Sequence, residues 1–313
     1  MPVTHWLFGA AVLVLGALVG SFLNVVVYRM PLGLSVVRPG SRCGACGTAI
    51  APWNNIPVLS WLFLRGKAAC CKAPFSIRYP MVEAATAALA FALWSRLVVP
   101  MDGRSPPDLE LALGGWALLF TFGAVLLVVA LIDLDTLRIP DVLSLPLIPL
   151  GLATAWAFGS VTHVSIEQSL FGILIGGGTL LVVTYGFFAI TGREGMGLGD
   201  YRLMAGVGAF LGWQSLLFLL IASAVQGLIF AGVVKLFRLE GALPRLDDPI
   251  PAGFSDGADG AESAPPAPPG EPEGPAPLAV PFGPFIALAA LQWLLFEPLW
   301  MKLQMTWVFG MGS

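Results

Sequence analysis

The chain has 313 residues, of which 57% are hydrophobic and only 11% charged, with a mean hydropathy of +0.84. A soluble chain of this length cannot present such a surface to water, so the composition excludes a soluble enzyme or a nucleic-acid-binding protein and places the chain in a bilayer. The formal net charge of −3 carries less information than the way the charges are distributed.

Crossing a hydrocarbon core takes about 20 helical residues. Apolar runs of that order fall near 5–28, 81–99, 112–133, 141–158, 167–191 and 278–300. The first lacks a basic leading region and a cleavage site and reads as a permanent helix. The uncharged stretch 203–234 is read as two helices turning at Gly212-Trp213-Gln214. The expectation is an all-α, polytopic membrane helix bundle of about eight transmembrane helices with a small cysteine-containing cytoplasmic insert. Its divisions are a first helix (1–29), the cysteine module (30–80), a transmembrane core (81–238), a loop (239–277) and a last helix with its tail (278–313). The loop is rich in proline, glycine and acids, as in Ala264-Pro-Pro-Ala-Pro-Pro-Gly-Glu-Pro-Glu. Such a composition buries too little apolar surface to offset chain entropy, so disorder is expected there.

Arg29, Arg38, Arg42, Arg65, Lys67, Lys72 and Arg78 fall between the first two spans. Arg138, Arg193, Arg202, Lys235, Arg238 and Arg245 fall on the same side if helices alternate, whereas Arg96, Arg104 and Lys302 fall opposite. The positive-inside rule then turns the N-terminus outward and the cysteine module toward the cytoplasm.

Ionisable residues at membrane depth are functional candidates by default. Asp133 and Asp135 close the third span in Ile132-Asp-Leu-Asp-Thr-Leu-Arg-Ile-Pro-Asp141, and Asp200 stands in Gly195-Met-Gly-Leu-Gly-Asp200-Tyr-Arg202 on the same side. Gly197 and Gly199 let the backbone approach closely beside Asp200. Two carboxylates in one cleft share a proton, so one can draw a proton from water while the other donates to a scissile carbonyl oxygen. Asp135 and Asp141 read as interfacial residues, Asp141 capping the helix that Pro140 begins. Arg138 is placed either to bias Asp133 or to anchor the turn.

Together these segments resemble the prepilin leader peptidases, membrane aspartic proteases of type IV pilus and type II secretion systems. The resemblance rests on Gly20-Ser-Phe-Leu-Asn-Val-Val-Val-Tyr-Arg29-Met-Pro31, Asn55-Ile-Pro-Val-Leu-Ser-Trp61 and Arg78-Tyr-Pro-Met-Val-Glu83. It continues through Asp133 to Asp141, the Gly-X-Gly-Asp200 segment and Pro281-Phe-Gly-Pro284. It implies that Asp133 and Asp200 are the catalytic pair and that the substrates are prepilins and pseudopilins, cut at the cytoplasmic face of the bacterial inner membrane. It also implies methylation of the new N-terminus with S-adenosylmethionine as donor. Asn24, Arg29 and Glu83 hold family-like positions; leader recognition or methyl transfer stands against helix packing for Asn24 and topology anchoring for Arg29. Arg202 replaces the lysine common in the family, which keeps the charge but not a releasable proton.

Cys43, Cys46, Cys70 and Cys71 lie on the cytoplasmic side, where zinc ligation is expected rather than disulfides. Relatives carry two Cys-X-X-Cys pairs; here Ala68 takes the place of one cysteine and Cys70 is the candidate substitute. A tetrahedral structural zinc and a set of unligated thiols both remain open. A transporter or channel would place its carboxylates near the bilayer midplane, often in broken helices. A metalloprotease or serine triad lacks a cytoplasmic histidine, since His5 and His163 fall on the outer side. A purely structural subunit would tolerate asparagine at both aspartates.

Overall fold

The computed structural model describes residues 3–98, 107–192, 197–237 and 280–309. The expected disordered loop at 239–277 lies outside the described residues. Ten α-helices and no strands are present among them: α1 (Val3–Arg29), α2 (Leu59–Phe63), α3 (Arg78–Val98), α4 (Leu109–Thr136), α5 (Asp141–Ser144), α6 (Leu147–Thr162), α7 (Ile166–Thr191), α8 (Leu198–Leu211), α9 (Leu216–Leu236) and α10 (Gly283–Phe309).

Among the described residues, seven helical stretches are long and apolar enough to cross a membrane by length and composition, α5 and α6 counting together as Asp141–Thr162. The eighth expected helix, α8, is present with 14 residues, a rise of about 21 Å, and runs from Ile139, which Gly199 meets, to the α6–α7 turn, where Gly212 meets Val164 and Gln168. It ends where the sequence places the turn: Gly212 takes φ +74°, Trp213–Ser215 form one 3-10 turn, and α9 begins at Leu216.

In a bilayer, helices gain little from hiding apolar surface from one another, so close approach through small residues does much of the packing. Glycines of α1 set this pattern against α3. A Cβ at Gly16 would fall 2.9 Å from the Ala87 Cα, and one at Gly20 would fall 2.7 Å from the Glu83 Cα. The closest approach is between α7 and α8, where a Cβ on Gly172 would lie 2.1 Å from the Gly208 carbonyl oxygen. Helix α8 is thereby sunk into the bundle: Leu203, Met204, Val207 and Phe210 are buried, and Phe210 stacks on Phe122 of α4 at 4.2 Å between ring centroids. A capping box of Ser165 and Gln168 starts α7. Outward, α7 and α9 expose Leu174, Val182, Ile190, Leu228 and Ile229, as lipid-facing helices do.

Polar pins hold the two ends. Arg96 pairs with Glu297 and donates to the Leu294 carbonyl, fastening α3 to α10. At the other end Arg78 makes a two-pronged pair with Asp135, at 2.9 and 2.7 Å, fastening α3 to α4. Asp135 is therefore not merely a solvated interfacial residue. Helix α10 departs from helical geometry at Phe296, two residues before Pro298, whose ring and missing N–H break the local ladder.

The α7–α8 contact leads to a direct test. Gly172→Ala is expected to lower stability in detergent by about 1–3 kcal/mol, read as a fall in melting temperature. Gly178→Ala, whose added Cβ would meet nothing within 4 Å, should leave it unchanged.

Candidate active site

Asp133 lies in the last turn of α4, not in the loop that follows, because α4 continues to Thr136. The helix stops at Leu137, which takes φ +55° and returns its N–H to the Asp133 carbonyl at 2.8 Å. Asp200 lies in the first turn of α8. Both are buried, with 4% and 7% of their surface exposed.

The backbone of a third segment completes the cluster. The Gly283 N–H donates to Asp133 Oδ2 at 3.0 Å, and a Cβ at Gly283 would stand 2.7 Å from that same oxygen. Ile139, from the turn after α4, fills the space between the segments. Its Cβ lies 2.8 Å from where a Cβ of Gly199 would be, and its Cδ1 lies 3.0 Å from that of Gly283. Gly199 is thus required for close approach. Gly197 has φ −66° and only an ordinary contact to the Asp200 carboxylate, so its backbone suits other residues too.

Asp141 does not cap α5. Pro140 holds the cap position, and Asp141, the first residue of the helix, pairs with Arg202. That pair ties α5 to α8 two residues beyond Asp200, and Arg202 Nε also donates to the Tyr201 hydroxyl at 3.1 Å. Arg138 makes no side-chain hydrogen bond or ion pair among the described residues. Neither Ile139 nor the Gly283 N–H has a role assigned from the sequence; the signals were the Ile-Pro-Asp end of the 132–141 segment and the Pro-Phe-Gly-Pro run at 281–284.

The cysteine segment forms a second cluster. Cys43 and Cys46 sit in a loop closed by a bridge between Arg42 and Ala49; Cys70 and Cys71 sit in one closed between Lys67 and Pro74. Lys72 takes φ +60°, which turns the chain so that adjacent cysteines can do the work of a spaced pair. The four Sγ atoms lie within 4.8 Å of one another, with Cys43–Cys71 at 3.7 Å and Cys46–Cys70 at 3.3 Å. This cluster could hold a metal ion. Thr48, through its hydroxyl first and its backbone second, pulls the Cys46 thiol down to about 6. The neighbouring Cys46 and Cys43 thiols push Cys70 up to about 12.

A cavity of about 990 Å³ separates this cluster from α1 and α3, lined among others by Asn24, Arg29, Glu83, Cys43, Trp61 and Tyr79. Three residues singled out in the sequence thus share one cavity, and neither Asp133 nor Asp200 lines it. Each also makes a structural bond. Asn24 Nδ2 donates to the Tyr79 carbonyl at 3.1 Å, joining α1 to α3. Arg29 donates to the carbonyls of Ser35 and Pro39 at 3.0 and 2.7 Å. Glu83 Oε2 accepts from the Val58 N–H at 2.7 Å.

Two family models match the chain: the bacterial peptidase A24 N-terminal domain over residues 14–97, and the type IV leader peptidase family over residues 120–232. A prepilin leader peptidase/N-methyltransferase of Pseudomonas aeruginosa is 40% identical over 270 residues, 79% of this chain and 86% of that relative. The chain belongs to the type IV leader peptidase family. Proteins of the same name from Pectobacterium carotovorum and Myxococcus xanthus are 38% and 36% identical, over 75% and 77% of this chain and 86% and 67% of their own. No solved structure matches. The N-terminal family model spans the cavity and the cysteines, and the second spans both aspartates; Gly283 lies beyond either.

Because the Gly283 N–H and the lack of a side chain there both serve Asp133, Gly283→Ala should displace that carboxylate. Peptidase turnover is expected to fall at least tenfold, about 1.4 kcal/mol in the barrier, and steady-state kinetics of the purified variant would measure it.

Proposed function

We propose that the chain removes the leader peptide of prepilins and pseudopilins with Asp133 and Asp200 and then methylates the new N-terminal amine. The observation that carries the first step is the burial of two aspartates, from helix ends 67 positions apart in sequence, in one cluster with a backbone donor. A pair so placed holds one proton between its members. The ionised member accepts a proton from the attacking water, and the protonated one donates to the scissile carbonyl oxygen, with no covalent enzyme intermediate. Arg202 and Asp141 hold α8 against α5, and Ile139 sets the spacing between the Asp200 and Gly283 segments.

The placement of the pair at helix ends supports a protease over a transporter, since carriers gather their carboxylates at broken helices near the midplane. It also suits the substrate class: a bond at the membrane edge can be cut while the adjoining hydrophobic helix stays in the bilayer. The distribution of lysines and arginines supports a cytoplasmic orientation for this edge.

For the second step the cavity walled by Asn24, Arg29 and Glu83 has a volume at the upper end of the range usual for small-molecule sites, and it offers both a carboxylate and aromatic walls. S-adenosylmethionine, when bound, would supply an electrophilic methyl group. Glu83 would face its cationic part, and Trp61 and Tyr79 would exclude water. The cysteine cluster fits zinc: four ligands at about 2.3 Å from a tetrahedral ion stand about 3.8 Å apart, close to the spacing of the thiols. Cys43, Cys46, Cys70 and Cys71 would hold the ion, whose task is to stabilise a segment with little core of its own.

Cleavage of a prepilin in proteoliposomes tests the dyad. Asp133→Asn and Asp200→Asn should each lower the rate by about 10²–10⁴-fold with the melting temperature retained, and the wild-type product should carry one added methyl group by mass. Full cleavage by either folded variant would remove that residue from the mechanism. Elemental analysis of the purified protein should find one zinc per chain, lost in Cys43→Ser and in Cys71→Ser; metal-free wild type would overturn the zinc assignment.

A further inference from the structure

The segment between α1 and α3 carries a group of exposed apolar side chains, one of which, Ile56, also borders the cavity. Phe63 is 83% exposed and Trp53 72%, and Ile56, Leu59 and Leu62 are about half exposed. In a module surrounded by water this would be a liability, since exposed apolar clusters mark an interaction surface or an aggregation site.

The height of this cluster relative to the transmembrane helices is fixed by hydrogen bonds. Val58 immediately precedes α2, and its N–H is held by Glu83. Glu83 lies five residues into α3 from Arg78, about 7.5 Å at 1.5 Å per residue. A helical side chain leans back toward the N-terminus, so the start of α2 lies between the level of Glu83 and that of Arg78. The Arg78–Asp135 pair, with both side chains about two-fifths exposed, marks the polar edge of the bundle. The neighbouring chain is fixed at the same height. Ser60 Oγ accepts from Ile56 N–H at 2.9 Å and donates to the Trp53 carbonyl, and Trp61 Nε1 donates to Phe75 O at 3.0 Å. Val58 itself takes φ +62° in a tight turn closed from Leu59 N–H to Pro57 O. A β-branched residue adopts that conformation only where its surroundings impose it, and here the Glu83 carboxylate does so.

Depth and chemistry agree on one occupant. Tryptophan and phenylalanine are at home at the boundary of headgroups and acyl chains. The apolar run is followed at once by Arg65 and Lys67, both exposed, which suit anionic headgroups. At the start of α3, Ile77 and Met81 are likewise exposed, 60% and 61%, so the apolar surface continues onto a membrane-spanning helix. We infer that Trp53, Ile56, Leu59, Leu62 and Phe63 insert into the headgroup–acyl boundary of the bilayer, making Pro52–Phe63 an interfacial anchor that holds the cysteine cluster and its cavity down on the membrane surface.

Photo-crosslinking of the full chain in vesicles of phosphatidylethanolamine and phosphatidylglycerol tests this. p-Benzoylphenylalanine replaces Phe63 or, in a second variant, Leu62; both side chains are exposed, so neither replacement disturbs packing. Leu174 on α7, 68% exposed, serves as the lipid-facing reference, and Lys72 in the cysteine loop as the aqueous one. The expected result is a phospholipid adduct, seen in the intact mass, in a yield comparable to that at Leu174 and at least tenfold above that at Lys72. A cross-linked dimer, a cross-link to a co-reconstituted substrate helix in place of lipid, or a yield no higher than at Lys72 would overturn the inference.

Discussion

A carboxylate buried among membrane helices has no bulk water to solvate it, so its hydrogen-bond partners must come from the protein itself. The bond from Gly283 N–H to Asp133 Oδ2 meets that requirement with a backbone group, and much of the local architecture follows from it. The start of α10 has to lie against the end of α4, and residue 283 has to lack a side chain. Ile139 has to pack where it does, which in turn brings a glycine at 199 and the first turn of α8 against the same spot. Helix α8 runs from this spot to the α6–α7 turn at the other end of the bundle, where Gly212 meets Val164 and Gln168, and glycine contacts with α7 draw it in closely.

The bundle itself was legible from composition and hydropathy. Five of the six spans fall within four residues of the helix ends, the last differs because α10 begins at Gly283 and continues to Phe309, and Gly212-Trp213-Gln214 reads as a turn because it is the polar interruption of an otherwise apolar stretch. Residue-level partners were not legible, for a physical reason. The periodicity of an apolar helix shows which stretch is buried in lipid but not which neighbour each face meets, so the pairs Arg78–Asp135 and Arg202–Asp141 had no signature. Asp141 was misread as a cap because Pro140 and a following helix satisfy the local rule, while the decisive partner lies 61 residues away.

The altered cysteine spacing shows a different limit. Read as a pattern, Cys70-Cys71 is a departure; in three dimensions a single left-handed residue, Lys72, lets two adjacent thiols face the Cys43–Cys46 loop. Spacing rules describe one backbone route to a cluster of thiols, and here a turn of another kind also brings four Sγ atoms within 4.8 Å of one another. The module is tied to the bundle by Glu83, which accepts from the Val58 N–H, and by Arg29, which donates to the Ser35 and Pro39 carbonyls.

The bond between residues 133 and 283 spans 150 positions of sequence, and this orders events in time. As the chain is synthesised and its helices enter the membrane from the N-terminus, Asp133 and Asp200 are in place well before α10 emerges. Until that last helix arrives, one aspartate lacks the donor that orients it. On the proposed roles of these residues, a nascent chain therefore lacks a complete site until α10 has joined the bundle, and a fragment ending after α9 would sit in the membrane with both aspartates but without the donor.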